Sequence, residues 1–153
     1  MQQKLKFIIT ALGIILAGAT LTANVHAQES VRLSDDAGIF KEFGEKAGLV
    51  IIMDDFMANL LKDPRTKAFF EKSDQKHIKE QLVDQFCFIL NGPCEYKGAK
   101  MKPIHANLEI NRENFNALVE QLQFAMDKNN VPFRAQNKLL AVLAPMHRDI
   151  INK

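Results

Sequence analysis

The sequence predicts an all-α fold, and three observations carry that prediction. Apolar residues recur at helical spacing through almost the whole chain beyond its first segment. No stretch alternates apolar and polar residues as a half-buried strand would. The interruptions fall on helix-breaking signals: "KDPR", "NGP" at 91–93, and Asn129-Asn130 ahead of Pro132.

The first element is a leader. Lys4 and Lys6 precede an apolar run from Phe7 that is too short to span a bilayer, and Val25-His26-Ala27 is a small-x-small cleavage pattern. Residues 1–27 are expected to be a secretory signal peptide, leaving 28–153 as one domain with one core and no stable membrane anchor. Losing Lys4 and Lys6 leaves 18 basic residues against 18 acidic ones, so the precursor pI of about 8.5 is no nucleic-acid footprint. Of the histidines, His77, His105 and His147 remain.

Leu49, Met53, Phe56, Met57, Leu60 and Leu61 then mark a helix that "KDPR" ends. A short segment with Phe69 and Phe70 follows. Ser73 or Asp74 can cap a helix whose stripe is Ile78, Leu82, Phe86, Ile89 and Leu90, stopped by Asn91-Gly92-Pro93. From Asn91 to Asn111 the helical pattern lapses for about twenty residues, a length that in compact domains usually marks a functional loop. Asn111 caps a helix bearing Phe115, Leu118, Val119, Leu122 and Met126. Pro132 opens the last helix, with Leu139, Val142, Leu143, Met146 and Ile150 on one face.

Cys87 and Cys94, in "CFILNGPC", are an even pair in a chain expected to be exported, which favours a disulfide closing a small loop. There is no Cys-x-x-Cys-His for covalent c-type haem and no Cys-x-x-Cys redox site.

Four segments, "DDFMANLLKDPRTKAFF", "NGPCEYKGAKMKPIHANLEI", "FNALVEQLQFAMDKNNVP" and "LLAVLAPMHRDII", resemble in order and spacing the group 1 truncated haemoglobins, from about Ile39 to Ile151. The most specific stretch is G-P-x-x-Y-x-G-x-x-M-x-x-x-H from Gly92 to His105, in which Gly98, Met101 and Pro103 shape the approach to the histidine. The resemblance implies a truncated globin, a two-over-two helical sandwich around a non-covalent haem b, with His105 as the protein ligand to the iron. A single imidazole with no acid or cysteine beside it suits that role, since haem needs one protein ligand and leaves the other axial position open. By the same resemblance Phe70 packs on the haem, Tyr96 and Met101 wall its edge and proximal side, and Lys79, Lys97, Lys100 and Lys102 are candidates for the propionates. His77 is expected to be exposed and His147 to be a surface or terminal polar residue.

The chain departs from its relatives on the other side of the haem. Met57 stands where the family commonly has a tyrosine, and Ile78 and Leu82 stand where polar residues are frequent. The expected pocket is Phe56, Met57, Ile78, Leu82 and Phe86, with Gln81 and Gln85 as the nearby donors, turned partly away by helical spacing. Without a donor, dioxygen should be lost quickly, unless Gln81 or Gln85 swings in. The Met57 thioether is a possible second axial ligand. The family's Gly-Gly, Gly-Gly-Pro and His-x-Gly turns read here as Gly44-Glu45, Asn91-Gly92-Pro93 and His105-Ala106-Asn107. Asparagine tolerates a left-handed backbone; Glu45 leaves the start of its helix in question.

These readings make the protein a periplasmic, monomeric globin that reversibly binds dioxygen, carbon monoxide or nitric oxide, with a redox partner as a further expectation. A haem enzyme acting on nitric oxide or peroxide is the alternative, and a haem-free helical interaction module the third.

Overall fold

This computed structural model describes residues 38–153 together with Arg32, Leu33 and Asp36; the predicted leader lies outside the described residues. The described chain is helical, with no strand. In order it forms α1 (Ile39–Glu42), α2 (Glu45–Lys62), α3 (Lys67–Phe70), α4 (Gln75–Ile89), α5 (Met101–His105), α6 (Arg112–Lys128), α7 (Phe133–Leu143), a 3-10 turn (Ala144–Met146) and α8 (His147–Ile150). α2 packs on α4 and α6, α6 on α7, and α5 on α8.

The long helices begin where the sequence supplies caps. The Asp74 carboxylate accepts from the His77 backbone N–H at 3.0 Å, and Asn111 and Asn114 each accept from the other's backbone N–H, at 2.9 and 3.0 Å. Glu45 opens α2 with φ 56°, directly after Gly44 at φ 73°, so a charged residue holds a left-handed backbone there. Asn91 does the same at φ 63°, as its residue type allows; in the third turn the left-handed residue is Glu109 at φ 52° rather than Asn107.

Leu49, Ile52, Met53, Phe56, Met57 and Leu60 of α2 form the spine of the core, closed by Val83, Phe86, Ile89 and Leu90, by Leu122, Ala125 and Met126, and by Leu139. Each large aliphatic side chain so buried contributes about 1.5–3 kcal/mol by removal from water. The α2–α3 corner is locked to α6 by polar bonds: Gln121 Nε2 donates to Asp63 at 2.7 Å, Arg65 pairs with Glu120 at 2.5 Å, and Asn114 Nδ2 donates to the Arg65 carbonyl at 2.9 Å. Leu33 lies across the end of α4, and Asp36 lies against α7. There Leu33 N–H donates to the Ile89 carbonyl at 2.8 Å, and Asp36 pairs with Arg134 and Lys138, each at 2.8 Å.

Two elements differ from the sequence expectation. The stretch from Asn91 to Asn111 is not helix-free, because α5 forms inside it. The last helix is not continuous: Pro145 has no N–H to give the ladder, and the chain tightens into a 3-10 turn before α8.

Candidate haem-binding site

α5 is a single turn and a half, and it carries His105. Pro103 is tolerated because the first helical N–H groups have no internal acceptor in any case. Within this turn the His105 Nδ1 sits 2.7 Å from the Met101 carbonyl oxygen. A carbonyl can only accept, so Nδ1 carries the proton and Nε2 keeps its lone pair. That is how a metal-binding imidazole is held: one nitrogen fixed by a backbone acceptor, the other presented. The His105 carbonyl in turn accepts from Leu108 N–H at 3.1 Å and from the Asn152 side-chain amide at 2.5 Å. Asn152 and Lys153 also give their backbone N–H groups to the Ile110 carbonyl, at 2.9 and 3.2 Å, so residues 151–153 clamp the end of α5.

The segment leading to α5 is fixed at both ends. Cys87, fully buried on α4, and Cys94 have their sulfurs within bonding distance and their Cα atoms 5.7 Å apart. Gly92 lies so close beneath them that a Cβ would come within 2.6 Å of the Cys87 Sγ and 2.7 Å of the Phe40 ring. Gly98 is equally confined, since a Cβ there would lie 2.3 Å from the Tyr96 ring. Tyr96 is half-buried, and burial pushes its phenol above the ordinary value.

Phe56 and Met57 are 3% and 4% exposed on α2, and Phe86 is 3% exposed on α4. Ile78 and Leu82 share one face of α4 and are half-buried, as are Phe70, Met101 and His105. Phe70 and Leu82 pack against the core. Gln81 lines a cleft of about 410 Å³ between α2 and α4, beside the Lys46–Asp84 and Lys79–Asp54 ion pairs. Gln85, which spacing turned partly outward, is instead 7% exposed. Lys79 and Lys97 are occupied by Asp54 and Glu95, while Lys100 and Lys102 are exposed. His77 is exposed; His147 bonds the Ala144 carbonyl through Nδ1 at 2.8 Å and meets the Phe115 ring edge-on at 6.3 Å.

An imidazole with one nitrogen anchored and the other free is a donor that fits haem. Comparison with known proteins agrees: the profile of the bacterial-like globin family matches residues 38–152. The chain belongs to that family. As a globin it is a haem-binding protein that takes up diatomic gas. Its curated relatives include the group 1 truncated haemoglobin of Mycolicibacterium paratuberculosis, 27% identical over 119 residues, or 78% of this chain and 88% of that one. That of Tetrahymena pyriformis is 26% identical over 115 residues, 75% of this chain and 95% of the relative. The solved Fe(III) form of the Tetrahymena pyriformis protein superposes on this globin with a TM-score of 0.70, over 75% of this chain and 98% of that one. A Synechococcus 2/2 haemoglobin, solved in the cyanomet state with covalently attached haem, shares the fold at 20% identity and a TM-score of 0.69, covering 75% and 98%.

Proposed function

We propose that this globin is an exported, monomeric haem b protein that holds its cofactor non-covalently through His105 and reversibly binds dioxygen, carbon monoxide or nitric oxide. The bond from His105 Nδ1 to the Met101 carbonyl carries the reading, because it fixes the tautomer that leaves Nε2 to bind iron. Haem, when bound, would supply the iron to which the gas binds. The chain's own part is to position and to exclude water. Asn152 holds the carbonyl end of the His105 turn. Phe70, Tyr96 and Met101 enclose the cofactor on and around the histidine side, and Phe56, Met57, Ile78, Leu82 and Phe86 give the gas a dry, apolar face. Lys100 and Lys102, which have no ion-pair partner among the described residues, are available to the propionates.

Lys4, Lys6 and the small-x-small pattern before Gln28 support export to a periplasm, where the Cys87–Cys94 pair would be held as a disulfide. A redox partner would keep the iron in its gas-binding state. Peroxide chemistry calls for a distal acid–base group, and the exposed His77 does not offer one.

The test is a visible spectrum of protein expressed with haem available. A Soret band is expected in the wild type and should be lost in His105→Ala. A band of undiminished intensity in that variant would overturn the ligand assignment.

A further inference from the structure

The chain between α4 and α5 is tied to the rest of the fold unevenly. Gly92 N–H donates to the Cys87 carbonyl at 2.7 Å, and α5 begins at Met101. From Pro93 to Ala99, among the described residues, no hydrogen bond reaches another part of the chain. The ion pair in this stretch, Lys97 with Glu95 at 2.8 Å, is internal to it, as is the packing of Gly98 against the Tyr96 ring. Its covalent tie is Cys94 to Cys87, and Cys94 also rests against the core. α5 has ties of its own, from the Asn152 amide on the His105 carbonyl and from α8.

A segment with so few outward bonds opens locally at little cost once its anchor is gone. This one carries Tyr96, which the haem reading sets at the edge of the cofactor. The two sulfurs of the anchor differ in access. Cys87 is fully buried on α4 above Gly92, whereas Cys94 is half-buried. A thiolate therefore reaches the bridge from the Cys94 side.

We propose that the Cys87–Cys94 bridge latches residues 93–99 over the haem edge, and that a dithiol protein which opens it makes the globin release its haem. The inference rests on the haem and disulfide readings above. One thiolate of the dithiol attacks the Cys94 sulfur and breaks the bond to Cys87, whose sulfur takes up a proton and becomes a thiol. The second thiol of the reductant then displaces Cys94, which also ends as a thiol. Two electrons pass from the dithiol, which becomes a disulfide, to the bridge, which becomes two thiols.

The experiment follows haem transfer from the haem-loaded full chain to an excess of an acceptor apoglobin. Wild type is measured oxidised, after reduction by dithiothreitol and after reoxidation, beside Cys94→Ser and Thr66→Ala. Cys94→Ser lacks the bridge without any reductant, which keeps an effect of the dithiol on the iron out of the comparison. Thr66→Ala removes a buried bond at the α2–α3 corner, from Oγ1 to the Leu60 carbonyl at 2.8 Å, and so lowers overall stability with the latch intact. Reduced wild type and Cys94→Ser should both lose haem about tenfold faster than the oxidised form, the factor that about 1.4 kcal/mol of lost tethering supplies. Reoxidation should restore the slow rate. Equal rates in the oxidised and reduced forms overturn the proposal. So does an equal acceleration in Thr66→Ala, which would make the bridge a source of overall stability alone. Brief exposure to glutathione should leave glutathione on Cys94, and finding it on Cys87 overturns the assigned side of entry. A wild type with no Soret band, or with no two-proton mass deficit, fails at the haem or the disulfide reading itself, before any rate is compared.

Discussion

Reducing the proposed Cys87–Cys94 bridge is expected to lower the melting temperature by roughly 10 °C. The two cysteines are separated by 7 in sequence and close a loop that contains Gly92 and the left-handed Asn91. In the chain-entropy account, a closed loop of about eight residues restricts the unfolded chain by about 2.5 kcal/mol. A domain of this size shifts by about 4 °C per kcal/mol. The perturbation is a phosphine reductant on the wild type, which removes no atoms from the core, with Cys94→Ser as the genetic counterpart because Cys94 is only half-buried. Thermal melts followed by circular dichroism give the shift, and intact mass without reduction gives the two-proton deficit of the bridge. The bridge also tethers the segment bearing Tyr96 and His105 to α4, so reduction should speed haem transfer to an acceptor apoprotein. A melting temperature unmoved by reductant in protein whose mass shows the bridge would refute the loop-entropy reasoning. A mass with no deficit would refute the bridge.

Asp63 has its carboxyl held down to about 2 by Arg65, whose side chain and backbone N–H both donate to it, and by Gln121. Because the folded value is depressed, its stabilisation is complete above the ordinary 3.8 and is lost as pH falls toward about 2, so acid melts of Asp63→Asn should lack the part of the wild-type decline in that window. Glu45→Gly should stabilise the fold by up to about 1 kcal/mol, since glycine adopts φ 56° without the Cβ clash; an unchanged or lower denaturation midpoint would count against it. Asn152→Ala removes a bond to the His105 carbonyl and should weaken haem retention by about 1 kcal/mol, roughly fivefold faster loss, with a shifted iron–histidine stretch in resonance Raman spectra; an unmoved stretch would limit Asn152 to stability alone.

The long helices were legible because their signals are local and repeated. Asp74 and Asn111 cap where the sequence put caps, and the stripes on α2, α4 and α6 run over several turns, enough for periodicity to speak. α5 was not legible as a helix. Five residues are little more than one turn, and what holds them is long-range: the Asn152 amide on the His105 carbonyl. The break in the last helix was hidden differently. Pro145 is visible, but the apolar positions 139, 142, 143, 146 and 150 continue through it at helical spacing, because a 3-10 turn shifts the face only slightly. The left-handed Glu45 and Glu109 carry no residue-type signal.

The two sides of the haem site differ in what a sequence can say about them. An iron ligand is named by one residue type in one place, and the run from Gly92 to His105 supplies that place. A hydrogen-bond donor is named by what surrounds it. Position-by-position transfer looks at Met57, Ile78 and Leu82, finds an apolar pocket, and leaves Gln81 and Gln85 as the nearby donors. Burial asks a different question, namely which polar group the fold has left without a partner. Thr66, Gln121 and Gln136 are answered within the chain. The buried side-chain atom left without a partner among the described residues is Glu42 Oε2, while Gln85 is 7% exposed on the helix that carries Ile78 and Leu82. Gln85→Leu therefore tests the expectation that a glutamine of α4 swings into the pocket: a raised C–O stretch in the haem-loaded variant supports it, and an unmoved stretch leaves the pocket apolar.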